Sequence, residues 1–223
     1  MTAPFRTAPA LLLAAFMGCT GTPPRSSTPV APSVAPASAP AAPIAAADEH
    51  AHHDMGDAAP IVIPEGALFT EADVRFMQGM IAHHAQAIHM TRMAESAGAS
   101  ARVLKLAQKI DLSQAGEIAL MQNWLLDNGQ MAPDTSSWRT MQMAGMLTAA
   151  ELEALAASRG VAFDRMFLTL MIRHHEGALQ MVAELLASPR AAQDVDVNVL
   201  ANEVETTQTV EIGLMWQMLA DLD

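Results

Sequence analysis

Paired histidines set among methionines occur twice in this chain. Phe76–Ala94, FMQGMIAHHAQAIHMTRMA, returns as Phe167–Leu185, FLTLMIRHHEGALQMVAEL. The copies share Phe76/Phe167, Met80/Met171, Ile81/Ile172, His83-His84/His174-His175, Ala87/Ala178 and Met90/Met181, all at an offset of 91. Imidazole nitrogen suits copper, zinc and iron, whereas a thioether selects Cu(I) and serves hard ions poorly. Together they point to soft-metal chemistry. The candidate donors are Met80, His83, His84, His89 and Met90 in the first copy, and Met171, His174, His175 and Met181 in the second. On a helix Met80, His83 and Met90 share one apolar face, as do Met171, His174 and Met181, so these faces should point into a core. His84 and His175 lie about 100° further round and should flank it.

A second repeat supplies carboxylates. Leu106–Leu125 matches Leu200–Leu219 at an offset of 94, keeping Gln114/Gln208, Glu117/Glu211, Ile118/Ile212, Leu120/Leu214 and Met121/Met215. A carboxylate near an apolar face is costly unless paired or metal-bound. Glu117 and Glu211 are therefore expected against the histidines, in one of two ways. They could complete a metal site. They could instead hydrogen-bond His83 and His174, with the methionines as flexible core filler. Fifteen methionines after residue 18, with no Tyr and only six Phe in the whole chain, favour metal. Two further groups could hold soft metal: Met143 and Met146, with Met141, in the middle of the domain, and His50, His52, His53 and Met55 ahead of it. Trp124, Trp138 and Trp216 read as packing residues.

The elements that must position these groups follow from caps and breakers. Thr70 opens a helix from Glu71 to about Ala97, stopped by Gly98. Ser100 caps a second, to about Asp127, ended by Asn128-Gly129. Gln130–Leu147 is a crossover. Thr148 with Glu151 opens a short helix that Gly160 ends. A third long helix runs from about Ala162 to Ala187, and a fourth from about Ala191 to Leu222. The domain is thus all-α, a helical hairpin stated twice, expected to close into a four-helix bundle with pseudo-twofold symmetry and one long crossover.

Residues 1–18 carry one Arg and a short apolar run before Cys19, the chain's single cysteine. This reads as a secretory signal of lipoprotein type, with Cys19 lipidated and the protein held at a membrane in the periplasm or at the cell surface. Residues 19–64 are rich in Pro, Ala, Ser and Thr, and 11 of 13 prolines lie at or before Pro64. Such a stretch is expected to be a disordered tether, leaving residues 65–223 as the domain. Acidic residues outnumber basic ones 24 to 12, and no basic patch suggests nucleic acid.

The two histidine motifs resemble those of the DUF305 family, exported bacterial proteins with a ferritin-like four-helix domain. The family pattern Asp-x-x-Phe-x-x-x-Met-Ile-x-His-His-x-x-Ala-x-x-Met stands here as Asp73, Phe76, Met80, Ile81, His83, His84, Ala87, Met90. It stands again as Asp164, Phe167, Met171, Ile172, His174, His175, Ala178, Met181. Met143-Ala-Gly-Met146 is similar to the family's Met-Pro-Gly-Met element, with Ala144 in place of Pro. The resemblance implies copper binding outside the cytoplasm and a part in copper tolerance. The thioethers favour Cu(I), and the role expected is to sequester or hand on Cu(I), and also Cu(II), without catalytic turnover. A di-iron oxidase of ferritin-like type would need Glu-x-x-His on two helices, and no glutamate of the domain has histidine three residues on. An exported bundle whose His–Glu pairs serve only its packing is the other alternative.

Overall fold

The computed structural model describes residues 60–222, and among them every regular element is helical. Cys19, His50, His52, His53 and Met55 lie outside the described residues. The helices are α1 (Glu71–Thr91), α2 (Ala101–Asp127), α3 (Ala149–Ala157), α4 (Gly160–Ala187) and α5 (Val195–Ala220), with one 3-10 turn at Ser137–Arg139. The caps explain the starts. Thr70 and Asp73 form a reciprocal capping box on α1, as Thr148 and Glu151 do on α3, and Ser100 accepts from Val103 N on α2.

Three ends differ from the expected ones. Gly160 does not end the short helix, which stops at Ala157, but is itself the first residue of α4. The Thr91 hydroxyl donates to the Ile88 carbonyl, and beyond it the backbone tightens to Met93 N→Met90 O and Ala94 N→Thr91 O. The coil continues as turns to Gly98, but α-geometry stops at Thr91. At the far hairpin α5 begins at Val195, not Ala191, because Arg190 and Ala192 hold left-handed φ of 63° and 54°. Asp194 then caps the helix by accepting from Asp196 N and Val197 N.

α1 packs on α2, α4 on α5, and the two hairpins meet through α1 and α4. Side chains tie α2 to α5. Lys109 Nζ lies 3.3 Å from Glu211 Oε1, Arg102 pairs with Asp221, and the Trp124 indole donates to Asp194 at 3.1 Å. The motif aspartates clasp the hairpins reciprocally. Buried Asp73 accepts from Ala192 N at 2.6 Å, in the α4–α5 link, while buried Asp164 accepts from Ser100 N at 3.2 Å, in the α1–α2 link. Of the tryptophans, Trp124 is buried but bonded to Asp194, Trp138 is half-buried, and Trp216 is 55 % exposed and so is not a packing residue.

The apolar interior comes in two halves. One holds Met80, Met121 and Met181, and the other Met90, Met171 and Met215. Each repeat pair is split between them: Met80 and Met171, Met90 and Met181, Met121 and Met215 fall on opposite sides. This is what a twofold axis through the middle of the bundle requires. Between the halves lies a polar layer, described next. No helix among the described residues is long and apolar enough to cross a membrane.

Candidate metal centre

Four imidazoles meet in that layer. His83, His84, His174 and His175 all have no solvent exposure. The His83 and His174 rings face each other with centroids 3.8 Å apart and planes at 42°. Each lies 6.4 Å from its chain neighbour, His84 or His175. Because His83 and His174 are repeat-equivalent and touch, they straddle the pseudo-twofold axis. The expected marginal position of His84 and His175 is therefore corrected. They are as buried as the inward pair, because α1 contacts α2 on one flank and α4 on another, and α4 likewise has two neighbours.

The carboxylate partners are also corrected. Glu117 and Glu211 do not pair with His83 and His174. His84 Nε2 meets Glu117 Oε2 at 2.6 Å, and His175 Nε2 meets Glu211 Oε2 at 2.9 Å, so each hairpin makes one internal pair. His83 Nε2 lies 3.1 Å from the Ala144 carbonyl. Carboxylate and carbonyl oxygens accept, so in all three histidines Nε2 carries a proton and donates. Their three Nδ1 atoms are buried without a hydrogen-bond partner, and His174 has no partner on either nitrogen.

Burial first, and then the neighbouring His84, push His83 down to about 3. Burial and the other imidazoles hold His174 well below its ordinary range, and burial outweighs Glu211 in lowering His175. Burial alone would raise Glu211, but the bond from His175 and the Lys109 charge keep it lowered, hence ionised. His83, His174 and His175 are thus neutral imidazoles.

A pH dependence follows. The unfolded chain protonates His83 near 6.5, but the folded chain does so only near 3. Protons therefore favour the unfolded state across that window. Urea midpoints of the metal-free domain should fall steadily as pH drops from 7 toward 5, where most carboxylates are still ionised. A flat profile there would mean that the imidazoles are hydrated.

The crossover runs over the layer as a strap. Gln86 on α1 donates to the Leu147 carbonyl at 3.0 Å and accepts from Leu147 N at 2.7 Å. Gln78 donates to the Met131 carbonyl at 2.8 Å. On α4 the strap lies directly on Gly177: a Cβ there would sit 2.0 Å from Ala144 O and 2.7 Å from Gly145 Cα. Gly145 in turn needs its left-handed φ of 76°. Gln78, Gln86, Gly145 and Gly177 were not among the residues singled out from sequence. A glycine inside a long helix and isolated glutamines in an apolar one were the available signals.

The remaining candidates disperse. His89 is exposed on α1, stacks on Trp138 at 4.8 Å, and is lowered by burial and then by Arg139 and Arg92. Two guanidiniums beside it oppose a cation, so His89 is not part of the centre. Met143 and Met181 line a separate cleft of about 210 Å³ with Phe76 and Gly79, and Met146, itself part of the strap, is buried. Among the described residues no three His, Cys, Asp or Glu side chains converge on one metal-sized point.

An internally duplicated helical domain, its core divided by a buried imidazole–carboxylate layer, is the class this geometry defines. The chain belongs to the DUF305 family, described as a domain of unknown function, whose model matches residues 73–219. A presumed secreted DUF305 protein of Streptomyces coelicolor is 28 % identical with a TM-score of 0.61, over 68 % of this chain and 93 % of its own. A DUF305 fragment from Deinococcus radiodurans is 32 % identical with a TM-score of 0.59, over 69 % of this chain and 98 % of its own. CopM in its Cu(I)-bound form is 28 % identical with a TM-score of 0.54, over 67 % of this chain and 96 % of its own, and CopM has also been solved bound to Cu(II) and Ag. No curated protein matches at a significant level.

Proposed function

We propose that this protein is an exported copper-binding protein that sequesters or hands on Cu(I), and also takes Cu(II), through the buried histidine layer and its flanking methionines. It acts without turnover and contributes to metal tolerance. The observation that carries the reading is the set of buried imidazoles with unpartnered nitrogens. Leaving such a group bare costs about 1–3 kcal/mol each, which a soft metal ion would offset. The donor chemistry fits copper: His83, His84, His174 and His175 would hold the ion, and thioethers in both half-cores favour its reduced state. Glu117 and Glu211 would orient His84 and His175 from behind rather than bind metal themselves. The closed His83–His174 stack must open to admit the ion. CopM, similar in fold and sequence, is a copper-bound and silver-bound precedent.

His50, His52, His53 and Met55 would make first contact with the ion, and lipid on Cys19 would hold the protein at a membrane. The His84–Glu117 and His175–Glu211 bonds on their own also suit a bundle that binds nothing, so the test must separate the two. The full chain with His50, His52, His53 and Met55 replaced by alanine should still compete with a chelator for Cu(I), and its melting temperature should rise with copper. No rise, with no competition, would overturn the copper reading of the layer.

A further inference from the structure

Outside the polar layer, each buried glutamine has a partner. Gln78 and Gln86 bond the strap, and Gln130 donates to the Val62 and Asn128 carbonyls. Gln114 and Gln208 do not. Each is 2 % exposed, and neither Nε2 nor Oε1 of either residue has a partner. The two are repeat-equivalent, at the offset of 94.

Their place follows from the α2–α5 seam. The Lys109–Glu211 contact sets Lys109 on α2 against Glu211 on α5, and the offset of 94 makes Glu203 and Glu117 the repeat-related pair. Gln114 and Gln208 lie between these two positions on their helices, next to the pseudo-twofold axis. His83 and His174 straddle that same axis. Each glutamine also stands one turn ahead of the carboxylate that holds a histidine of the layer: Gln114 before Glu117, Gln208 before Glu211. Leucine would fill the same space without bare amides, whereas these four polar atoms are buried with no protein partner, a cost that a non-protein partner would offset. An amide offers an acceptor and two donors, which suits a metal-bound water or hydroxide.

We propose that Gln114 and Gln208 are the outer part of the copper site, an amide pair on the axis that holds the oxygen ligands of Cu(II) and so sets the site's preference between oxidation states. This rests on the copper-binding reading above. Cu(II) favours tetragonal N,O coordination, in which water completes the sphere, whereas Cu(I) is satisfied by imidazole and thioether. The amides stabilise the oxidised ion by hydrogen bonds to its water. They do nothing for the reduced one. Gln114 and Gln208 are positioning residues and need not touch the metal.

The test is the full chain carrying Gln114→Leu and Gln208→Leu, with the tether donors His50, His52, His53 and Met55 replaced by alanine in both variant and control. Three quantities are read: Cu(II) and Cu(I) affinities by chelator competition, the electron paramagnetic resonance spectrum of bound Cu(II), and the melting temperature of the metal-free protein. Cu(II) affinity should weaken by about 10–100-fold, with a changed spectrum, while Cu(I) affinity holds and the metal-free protein melts no lower. If the leucine pair fails to fold, Gln114→Asn with Gln208→Asn withdraws the amides by one methylene and should give the same split. Equal losses for both ions would mean a structural role and overturn the proposal. Unchanged Cu(II) affinity and spectrum would overturn it too, while leaving the copper reading intact. A control that binds neither ion would overturn both.

Discussion

His174→Leu should separate stability from metal binding. His174 makes no hydrogen bond through either nitrogen and is fully buried. Leucine of similar bulk therefore loses no bond and removes two bare polar atoms. The metal-free protein is expected to melt at the same temperature or higher, by up to about 1–3 kcal/mol in stability. Copper affinity should meanwhile fall by about 100-fold, or roughly 2.8 kcal/mol. A histidine kept for packing would behave in the opposite way, with stability falling and copper affinity unmoved. Thermal melts and Cu(I) competition on the same sample decide between them. His84 and His175 would be poorer probes, because replacing either also removes the imidazole partner of a carboxylate.

Gly177→Ala should be the most damaging single methyl group in the domain. Its Cβ would lie 2.0 Å from Ala144 O and 2.4 Å from Ala144 C, both backbone atoms. Neither can rotate aside, so the strap must lift from α4. Overpacking of a tight contact costs about 1–3 kcal/mol and sometimes more, and this contact lies at the severe end. Lifting Ala144 also removes the acceptor of His83 Nε2. The urea midpoint should drop, and the Leu147 amide, which donates to Gln86 at 2.7 Å, should exchange its hydrogen faster. Gly116→Ala is the control. It lies in mid-helix with nothing within 4 Å of the new Cβ, and should stabilise by about 0.5–1 kcal/mol. Equal effects from the two substitutions would mean that the strap is not seated on Gly177.

Three helix starts were legible because a residue with a definite job stands there, whereas α4 follows Arg159, which makes no side-chain cap bond. Thr70, Ser100 and Thr148 cap where a hydroxyl was read as a cap. The duplication was legible from identity at fixed offsets, and the split of its methionines between two half-cores follows from it. The partners of the carboxylates were not legible. Placing residues at 100° steps says which side of an isolated helix is apolar. It does not say how wide the buried arc becomes when α1 meets two neighbours at once, and that width is what buries His84 and gives it Glu117. His89 failed for the converse reason. Adjacency to Met90 suggested a donor pair, yet consecutive residues on a helix look in different directions, and His89 looks outward to Trp138. The strap was invisible because it depends on a close approach of two backbones, and a missing Cβ at Gly177 records the approach without naming what approaches.

Gly177 and Gln86 occupy the same position in the two copies, at the offset of 91. One strap meets both. It touches bare backbone at the first and a two-pronged amide at the second. Two separate half-length chains could assemble the same interior by pairing, but their surfaces would be interchangeable, and any connecting segment would come in duplicate or not at all. Joining the halves end to end removes that restriction. A single-copy cover can then close over a two-copy interior, and the positions beneath it are free to diverge into a seat and a latch.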